Sequence, residues 1–301
     1  MDQPPPRQTL SYVKALLDAR GLRPKNKLGQ NFLIDLNLLD LVARTAELDR
    51  RDVALEVGTG TGSLTTRLGE HAAAVLSVEL DPVMHELARE LVGPRPNVRL
   101  MRADALRNKN ELNPDLLAAL AEMRQAFGCE RVKLVANLPY AVATPVISNL
   151  LLSDVPVERM VVTVQWEIAE RLMARPGTAD YGALAVLVRS LTDVVLVRKL
   201  APSVFWPRPQ VESAIVQITP NAAKRDHVVE MVRSVTAFRT FLRDLYVHRR
   251  KNLRGALAGW PSGRRDKVVV DRVLTELDLP GTTRAENLDA ETHLRLCRAF
   301  A

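Results

Sequence analysis

The stretch that decides the fold is VALEVGTGTG, residues 53–62, in which an apolar run leads directly into three glycines at alternate positions. The apolar run is typical of a buried strand, and the glycines allow a tight turn and a close approach of ligand to backbone. Their GxGxG spacing differs from the GxGxxG of dinucleotide pyrophosphate sites, and no Lys-Ser/Thr pair follows as in a phosphate-cradling P-loop. The stretch therefore predicts a strand, a turn and the start of a helix. The turn is either purely structural or open to a nucleotide-like group.

Further apolar runs follow at intervals that suit strands alternating with helices. Residues 82–91 have helical spacing, with Pro82 in the first turn. Alternation of this kind implies right-handed crossovers and a mostly parallel sheet, so the predicted fold class is α/β with a seven-stranded, Rossmann-like sheet. The predicted strands after residue 57 span residues 75–79, 98–101, 132–136, 160–165, 194–200 and 211–219, of which the last two would lie at an edge.

The pattern changes near residue 220. Beyond it only helical patterns follow, at residues 227–247, 250–257, 266–277 and 290–300. We therefore divide the chain into a basic N-terminal segment (1–30), the α/β domain (31–220) and a smaller all-α domain (221–301).

The charge of the chain is +7 and is unevenly distributed. Residues 1–30 carry 6 basic and 2 acidic side chains, residues 31–220 carry 20 and 23, and residues 221–301 carry 16 and 10. Positive charge at the two ends of a near-neutral core predicts a polyanionic partner, because phosphate neutralisation releases counterions.

Several protein classes are disfavoured by composition. The chain has no run of about 18 apolar residues, so no transmembrane helix is expected, and its start lacks the layout of a secretory signal. Cys129 and Cys297 are far apart and outside any CxxC. We therefore expect reduced thiols in a cytoplasmic protein, without a disulfide framework, a metal site or a membrane partner.

Two carboxylates follow predicted strands at positions that suit a nucleoside. Glu79 closes the second strand, where its oxygens could accept hydrogen bonds from both hydroxyls of a ribose. Asp104 follows the third strand and could accept from an exocyclic adenine amine, or else cap a helix.

The tetrapeptide NLPY, residues 137–140, ends the fourth predicted strand. An amine that is to be methylated needs acceptors for its hydrogens, so that its lone pair points at the incoming carbon. The side-chain oxygen of Asn137 and the carbonyl of Leu138 can be those acceptors. Pro139 stiffens the turn, and Tyr140 offers a ring on which a base can stack.

Seven motifs in order resemble one family over essentially the whole chain. They are PKNKLGQNFLID (24–35), EVGTGTGSLT (56–65), VELD (78–81), NLPY (137–140), PRPQVESAIV (207–216), HRRKNL (248–253) and RAENL (284–288). Together they resemble the small-subunit ribosomal RNA adenine dimethyltransferases of the KsgA type. The resemblance implies a class I S-adenosylmethionine-dependent methyltransferase domain followed by a helical RNA-binding domain. It also implies transfer of two methyls to N6 of each of two adjacent adenosines, in the hairpin loop near the 3′ end of 16S rRNA. The expected partner is the immature small ribosomal subunit, bound by a monomer with a role in subunit biogenesis.

The same resemblance assigns site residues. In this assignment Asn31 and Leu33 fold over the cofactor, and Phe205 clamps a flipped adenine opposite Tyr140, with core packing as the alternative for Phe205. The cofactor set is Asn31, Leu33, Gly58, Gly60, Glu79, Asp104 and Asn137. The catalytic set is Asn137, Leu138, Pro139, Tyr140 and Phe205.

Basic residues near both ends are the predicted RNA contacts. Arg249, Arg250 and Lys251 would begin an RNA-facing helix, with Arg254 one turn beyond Arg250, and a solvated basic face is the alternative. The N-terminal contacts would be Arg23, Lys25 and Lys27.

Three departures from the family pattern bear on the substrate. Ala141 stands where the family usually has Asn, Trp166 stands where it usually has Lys, and residues 238–247 form a longer stretch than expected. The alternatives are the related large-subunit dimethyltransferases of macrolide resistance, a non-catalytic transcription factor of the same fold, and a nicotinamide-dependent oxidoreductase. The glycine spacing and NLPY disfavour the last.

Overall fold

The computed structural model describes residues 9–25, 29–261 and 263–300. Its strands are β1 (Phe32–Leu33), β2 (Asp52–Val57), β3 (Ala74–Glu79), β4 (Val98–Arg102), β5 (Leu106–Asn108), β6 (Glu111–Leu112), β7 (Arg131–Asn137), β8 (Val157–Gln165), β9 (Thr192–Leu200), β10 (Phe205–Trp206) and β11 (Ser213–Pro220). Its helices are α1 (Leu10–Ala19), α2 (Leu36–Thr45), α3 (Ser63–His71), α4 (Pro82–Val92), α5 (Pro114–Ala126), α6 (Ala143–Leu152), α7 (Trp166–Met173), α8 (Ala183–Leu191), α9 (Ala222–Val232), α10 (Val235–Tyr246), α11 (Leu253–Ala258), α12 (Lys267–Glu276) and α13 (Ala290–Ala299).

Seven strands form the central sheet in the order β4-β3-β2-β7-β8-β11-β9. The strands from β4 to β8 pair in parallel, and β11 runs antiparallel to β8. The predicted α/β fold is confirmed, with one correction: of the two predicted edge strands, only β9 lies at the edge. β11 lies inside the sheet because its first four residues are all buried, whereas most of β9 is not.

Complete burial of β2 and β3 explains why their sequences are near-continuous apolar runs. Parallel strands are covered on both faces, so residues that point either way contact apolar neighbours. Leu38 and Val42 of α2 and Leu68 of α3 belong to one core cluster with Val75 and Val161 of the sheet. This packing fixes the strand ends, from which the polar residues of the candidate site follow.

The chain forms two compact units. The described residues up to Ala169, together with Val195–Thr219, make the first, and Glu170–Val194 joins the described residues from Pro220 onward in the second. This division differs from a single boundary at residue 220, because α8 buries most of its residues against α9, α10 and α13. No helix in the described ranges is long and apolar enough to cross a membrane.

The helical pattern at residues 227–247 is two helices rather than one. Arg233, after α9, has a φ of +63°, and a left-handed residue ends a helix. The hydroxyl of Ser234 then accepts a hydrogen bond from the backbone N–H of Ala237 and caps α10. The prediction of one helix over residues 227–247 is wrong. The residue with the left-handed backbone is an arginine, and an arginine in the sequence does not indicate that a helix ends there.

Gly62 is a position where the fold requires glycine. Its φ is +76°, and a Cβ built there would lie 2.5 Å from Cγ2 of Val92 in α4. We expect Gly62→Ala to lower the free energy of unfolding by about 2–5 kcal/mol, through left-handed strain and overpacking. Gly128→Ala is the matched control, since Gly128 has a φ of +62° with nothing within 4 Å of its Cβ. Urea unfolding should show a loss of only about 1–2 kcal/mol for that variant; equal losses would mean that the Val92 contact is unimportant.

Candidate active site

A cavity of about 200 Å³ lies at the carboxyl ends of β2, β3 and β7, within the first unit. Ligands of open α/β sheets bind at this edge. The residues that line it are Gly29, Gln30, Asn31, Phe32, Val57, Gly58, Gly60, Val78, Glu79, Leu80, Ala103, Asp104, Ala105, Asn137, Pro139, Ala141 and Val142.

The glycine turn forms one wall of this cavity. Gly58 has a φ of +89°, and a Cβ there would lie 3.0 Å from Cδ of Pro139. Gly60 has a φ of +56°, and its Cβ would lie 3.1 Å from the ring of Phe32. Both positions need glycine because the backbone is left-handed and a neighbour packs directly against it.

The carboxylate of Glu79 holds the glycine turn in place. One oxygen accepts a hydrogen bond from the backbone N–H of Gly60, and the other accepts from that of Asp81, each at 2.9 Å. Burial raises the pKa of Glu79, although the two backbone bonds oppose that rise. Glu79 therefore connects the end of β3 to the turn after β2, and it also lines the cavity.

A second buried carboxyl, Glu56, lies within β2 and bonds to two neighbouring elements. It accepts hydrogen bonds from the hydroxyl of Ser77 in β3, at 2.6 Å, and from that of Thr65 in α3. Burial raises the pKa of Glu56 to about 8. Glu56 is not among the predicted site residues, although a carboxyl inside the apolar run VALEV is itself a signal.

The segment before β1 is hydrogen-bonded to Asp81, the last residue of the VELD motif (78–81). Lys25 Nζ and Gln30 Nε2 both donate to the buried carboxylate of Asp81, at 3.1 and 2.9 Å. This anchoring brings Asn31 to the cavity, where it was predicted. Leu33 instead packs in the hydrophobic core and is not a lining residue.

The side chain of Asn137 has a defined orientation. Its Nδ2 donates to the backbone carbonyl of Asn31 at 2.9 Å. Because the amide nitrogen is used in this way, the Oδ1 atom is the part of the side chain that remains to accept a hydrogen bond. Leu138 is buried and Tyr140 is half-buried, and neither is among the lining residues, although Pro139 between them is. Their catalytic roles stay predictions.

Part of the cavity lining is apolar. Leu80 is 50% exposed although it is a large apolar residue, and it lines the cavity with Ala105. Asp104 is exposed and uses Oδ1 to accept from the backbone N–H of Leu106 at 2.9 Å.

Comparison with known proteins identifies the family. The model of the ribosomal RNA adenine dimethylase family matches residues 21–295. The chain belongs to the ribosomal RNA adenine dimethylase family. A ribosomal RNA small subunit methyltransferase A of Geobacillus kaustophilus is 36% identical over 294 residues, which cover 97% of this chain and 96% of that protein. The protein of the same name from Bacillus mycoides is 35% identical over 296 residues, with the same coverage. A dimethyladenosine transferase from Plasmodium falciparum has the same fold, with a TM-score of 0.67 and 24% identity over 87% of this chain and 94% of that one.

Membership makes the protein an rRNA methyltransferase that uses S-adenosylmethionine. The residues at the cavity suit the groups of this cofactor. The glycine turn leaves space that side chains would fill, Glu79 presents a carboxylate to hydroxyl groups, and Leu80 offers an apolar surface to an adenine ring.

Phe205 is not brought to the cavity. It is 2% exposed and belongs to the same core cluster as Leu33, with which it pairs between β10 and β1. Its position is that of a core residue, and its role as a clamp on a flipped adenine stays a prediction.

The predicted basic helix face at residues 249–254 is wrong. Arg249, Arg250 and Lys251 precede α11, because the side chain of Asn252 accepts from the backbone N–H of Gly255 and caps the helix at that point. Arg254, inside α11, forms two bonds to the carboxylate of Asp271, at 2.5 and 2.7 Å.

Arg249 is engaged within the second unit. Its Nε donates to Glu286 of the RAENL motif at 3.0 Å, and its Nη2 donates to the backbone carbonyls of Ala179 and Tyr181. By contrast, Arg250 and Lys251 are exposed, and their side chains have no ion pair or hydrogen bond to any residue that the structure describes.

The N-terminal basic residues also differ in how closely a carboxylate holds their side chains. Arg23 is exposed and lies 3.7 Å from Asp18, whereas Lys25 is held by Asp81. Lys27 lies outside the described residues.

The raised pKa of Glu56 predicts a pH-dependent stability. The folded protein holds a proton on Glu56 up to about pH 8, whereas the unfolded chain loses it near 4.5. The stabilisation is therefore complete below the unfolded pKa and is lost as the pH rises through 8. We expect the free energy of unfolding to fall by roughly 3–4 kcal/mol between about pH 5 and about pH 8, and Glu56→Gln to remove most of that fall. Urea unfolding without cofactor measures it, with the exposed Glu86→Gln as control. Parallel pH profiles for wild type and Glu56→Gln would show that Glu56 is ionised in the folded protein.

Proposed function

We propose that this enzyme transfers methyl groups to N6 of two adjacent adenosines in the 3′-terminal hairpin loop of 16S rRNA, acting as a cytoplasmic monomer on the immature small ribosomal subunit. The observation that carries the proposal is the fixed amide of Asn137 at the cavity, with Oδ1 left as an acceptor. The relatives named ribosomal RNA small subunit methyltransferase A, 34–36% identical over 97% of the chain, support the choice of subunit.

The proposed cofactor contacts follow from the residues at the cavity. Glu79 binds the ribose hydroxyls, and Asp104 accepts from the adenine amine. Gly58 and Gly60 leave room for the amino-acid portion, and Asn31 covers it. S-adenosylmethionine supplies a methyl group on a positively charged sulfur.

The residues of NLPY orient the target amine. Asn137 Oδ1 and the carbonyl of Leu138 accept the two N6 hydrogens, which directs the nitrogen lone pair away from them. Pro139 restricts the backbone that carries these acceptors, and Tyr140 stacks on the base. A strong general base is not required, because methyl transfer neutralises the sulfonium and the proton can leave afterwards.

Replacing Asn137 tests the reaction. We expect Asn137→Ala to lower methyl transfer by about 100-fold or more while cofactor affinity stays within a few-fold, because the lost bond matters most in the transition state. The assay is incubation of unmethylated small subunits with radiolabelled S-adenosylmethionine, followed by nucleoside analysis, with N6,N6-dimethyladenosine as the wild-type product.

Glu79→Ala is the complementary control. It should weaken cofactor binding by roughly tenfold or more in calorimetric titration, since charge-assisted hydrogen bonds are worth about 1.5–3 kcal/mol. Near-wild-type turnover by Asn137→Ala would remove the role proposed for that residue. Methylation of 23S rather than 16S rRNA would assign the enzyme to the other subunit.

Arg250 and Lys251 are the basic residues of the HRRKNL motif that the structure leaves available for phosphates. We expect Arg250→Ala/Lys251→Ala to weaken subunit binding and to flatten its salt dependence by up to about two units, roughly one per phosphate contact. Arg51→Ala/Arg89→Ala removes the same charge from exposed positions and should leave the slope unchanged. The test is to measure subunit binding across a series of salt concentrations. If Arg250→Ala/Lys251→Ala had the same salt dependence as the wild type, the RNA would not contact these two residues.

A further inference from the structure

The hydroxyl of Tyr140 is bonded to a residue far along the chain. Its Oη atom lies 2.7 Å from Oγ of Ser213, the first residue of β11, and either atom can be the donor. Ser213 is 0% exposed, and burial raises the pKa of Tyr140. The hydroxyl of Tyr140 is thus a neutral group already engaged by the protein.

Ser213 belongs to a rigid part of the first unit. It pairs with Gln165 in the antiparallel ladder between β11 and β8. Just before it, the carbonyl of Glu212 accepts a hydrogen bond from the backbone N–H of Trp166 at 2.9 Å. The backbone of Ser213 is therefore fixed to the central sheet, with Glu212 before it and Ala214 after it also paired to neighbouring residues.

Tyr140, by contrast, lies in a turn between β7 and α6. Its backbone follows Pro139, whose carbonyl accepts from the N–H of Val142 at 3.0 Å. The Oη atom lies on the axis about which a tyrosine ring turns, so its hydrogen bond fixes the direction in which the side chain points from the backbone. Without that bond the side chain can change its χ1 rotamer.

We infer that Ser213 is a positioning residue for methyl transfer, which fixes the direction of the Tyr140 side chain and therefore the place of its ring against the target adenine. This inference rests on the proposed function, in which Tyr140 stacks on that base. Ser213 acts through Tyr140 and does not touch the substrate. The hydroxyl of Tyr140 is needed for orientation rather than for chemistry.

A double-mutant cycle on the two hydroxyls tests this inference. Ser213→Ala and Tyr140→Phe each remove one partner and keep the rest of the side chain. Each should lower kcat/KM on unmethylated small subunits by about three- to tenfold, the range that one hydrogen bond of ordinary strength gives. The double variant should be no worse than either single variant, because both remove the same bond. Ser213→Cys keeps a weaker hydrogen-bonding group and should fall between serine and alanine.

Further measurements separate positioning from a merely structural role. Cofactor affinity by calorimetry should be unchanged in all four variants, and the single-turnover methylation rate should fall at saturating cofactor. Wild-type kinetics in Tyr140→Phe, multiplicative losses in the double variant, or a loss of cofactor affinity would each overturn the inference. If Ser213→Ala does not fold, Tyr140→Phe and Ser213→Cys still decide it. Failure of the wild type to methylate small subunits would refute the proposed function instead, so the two failures can be told apart.

Discussion

The cavity depends on two buried carboxyl groups, Glu56 and Glu79, one inside and one at the end of neighbouring parallel strands. Burying such groups is unfavourable unless they accept hydrogen bonds. Here the donors come from the surrounding elements: the hydroxyls of Ser77 and Thr65 for Glu56, and the backbone N–H of Gly60 for Glu79. Glu79 therefore holds the left-handed glycine turn, and Glu56 links β2 to β3 and to α3 behind it.

The acceptor side of the cavity depends on a different part of the chain. Asn137 is oriented by the backbone carbonyl of Asn31, and the segment that contains Asn31 is anchored through Gln30 and Lys25 to Asp81. Asp81 in turn caps α4 and donates its backbone N–H to Glu79. A single connected set of hydrogen bonds thus reaches from the glycine turn to the side chain that would receive the amine.

The sequence predicted the strands well because parallel strands are buried on both faces, so β2 and β3 are continuous apolar runs that need no tertiary information. The predicted residues Glu79, Asp104 and Asn137 all line the cavity, since residues that follow parallel strands meet at one edge. The sequence did not predict the break at Arg233, which depends on one backbone angle of a residue that is not glycine. Nor did it place Phe205 and Leu33 in the core. The identity of an aromatic or aliphatic residue in a motif does not show whether its side chain lines a cavity or packs against other core residues. The sequence also did not predict that α11 begins only after Asn252, whose side chain caps the helix.

The antiparallel direction of β11 has a consequence for synthesis of the protein. The described residues that line the cavity all lie between Gly29 and Val142, whereas β11, which brings Ser213 to Tyr140, begins only after the other six strands of the central sheet. Chains emerge from the ribosome with the N-terminal end first. A nascent chain that has not reached residue 213 therefore already contains these lining residues but not the strand that holds the Tyr140 side chain. Translation therefore produces the residues that form the cavity before it produces the strand that holds the Tyr140 side chain in position.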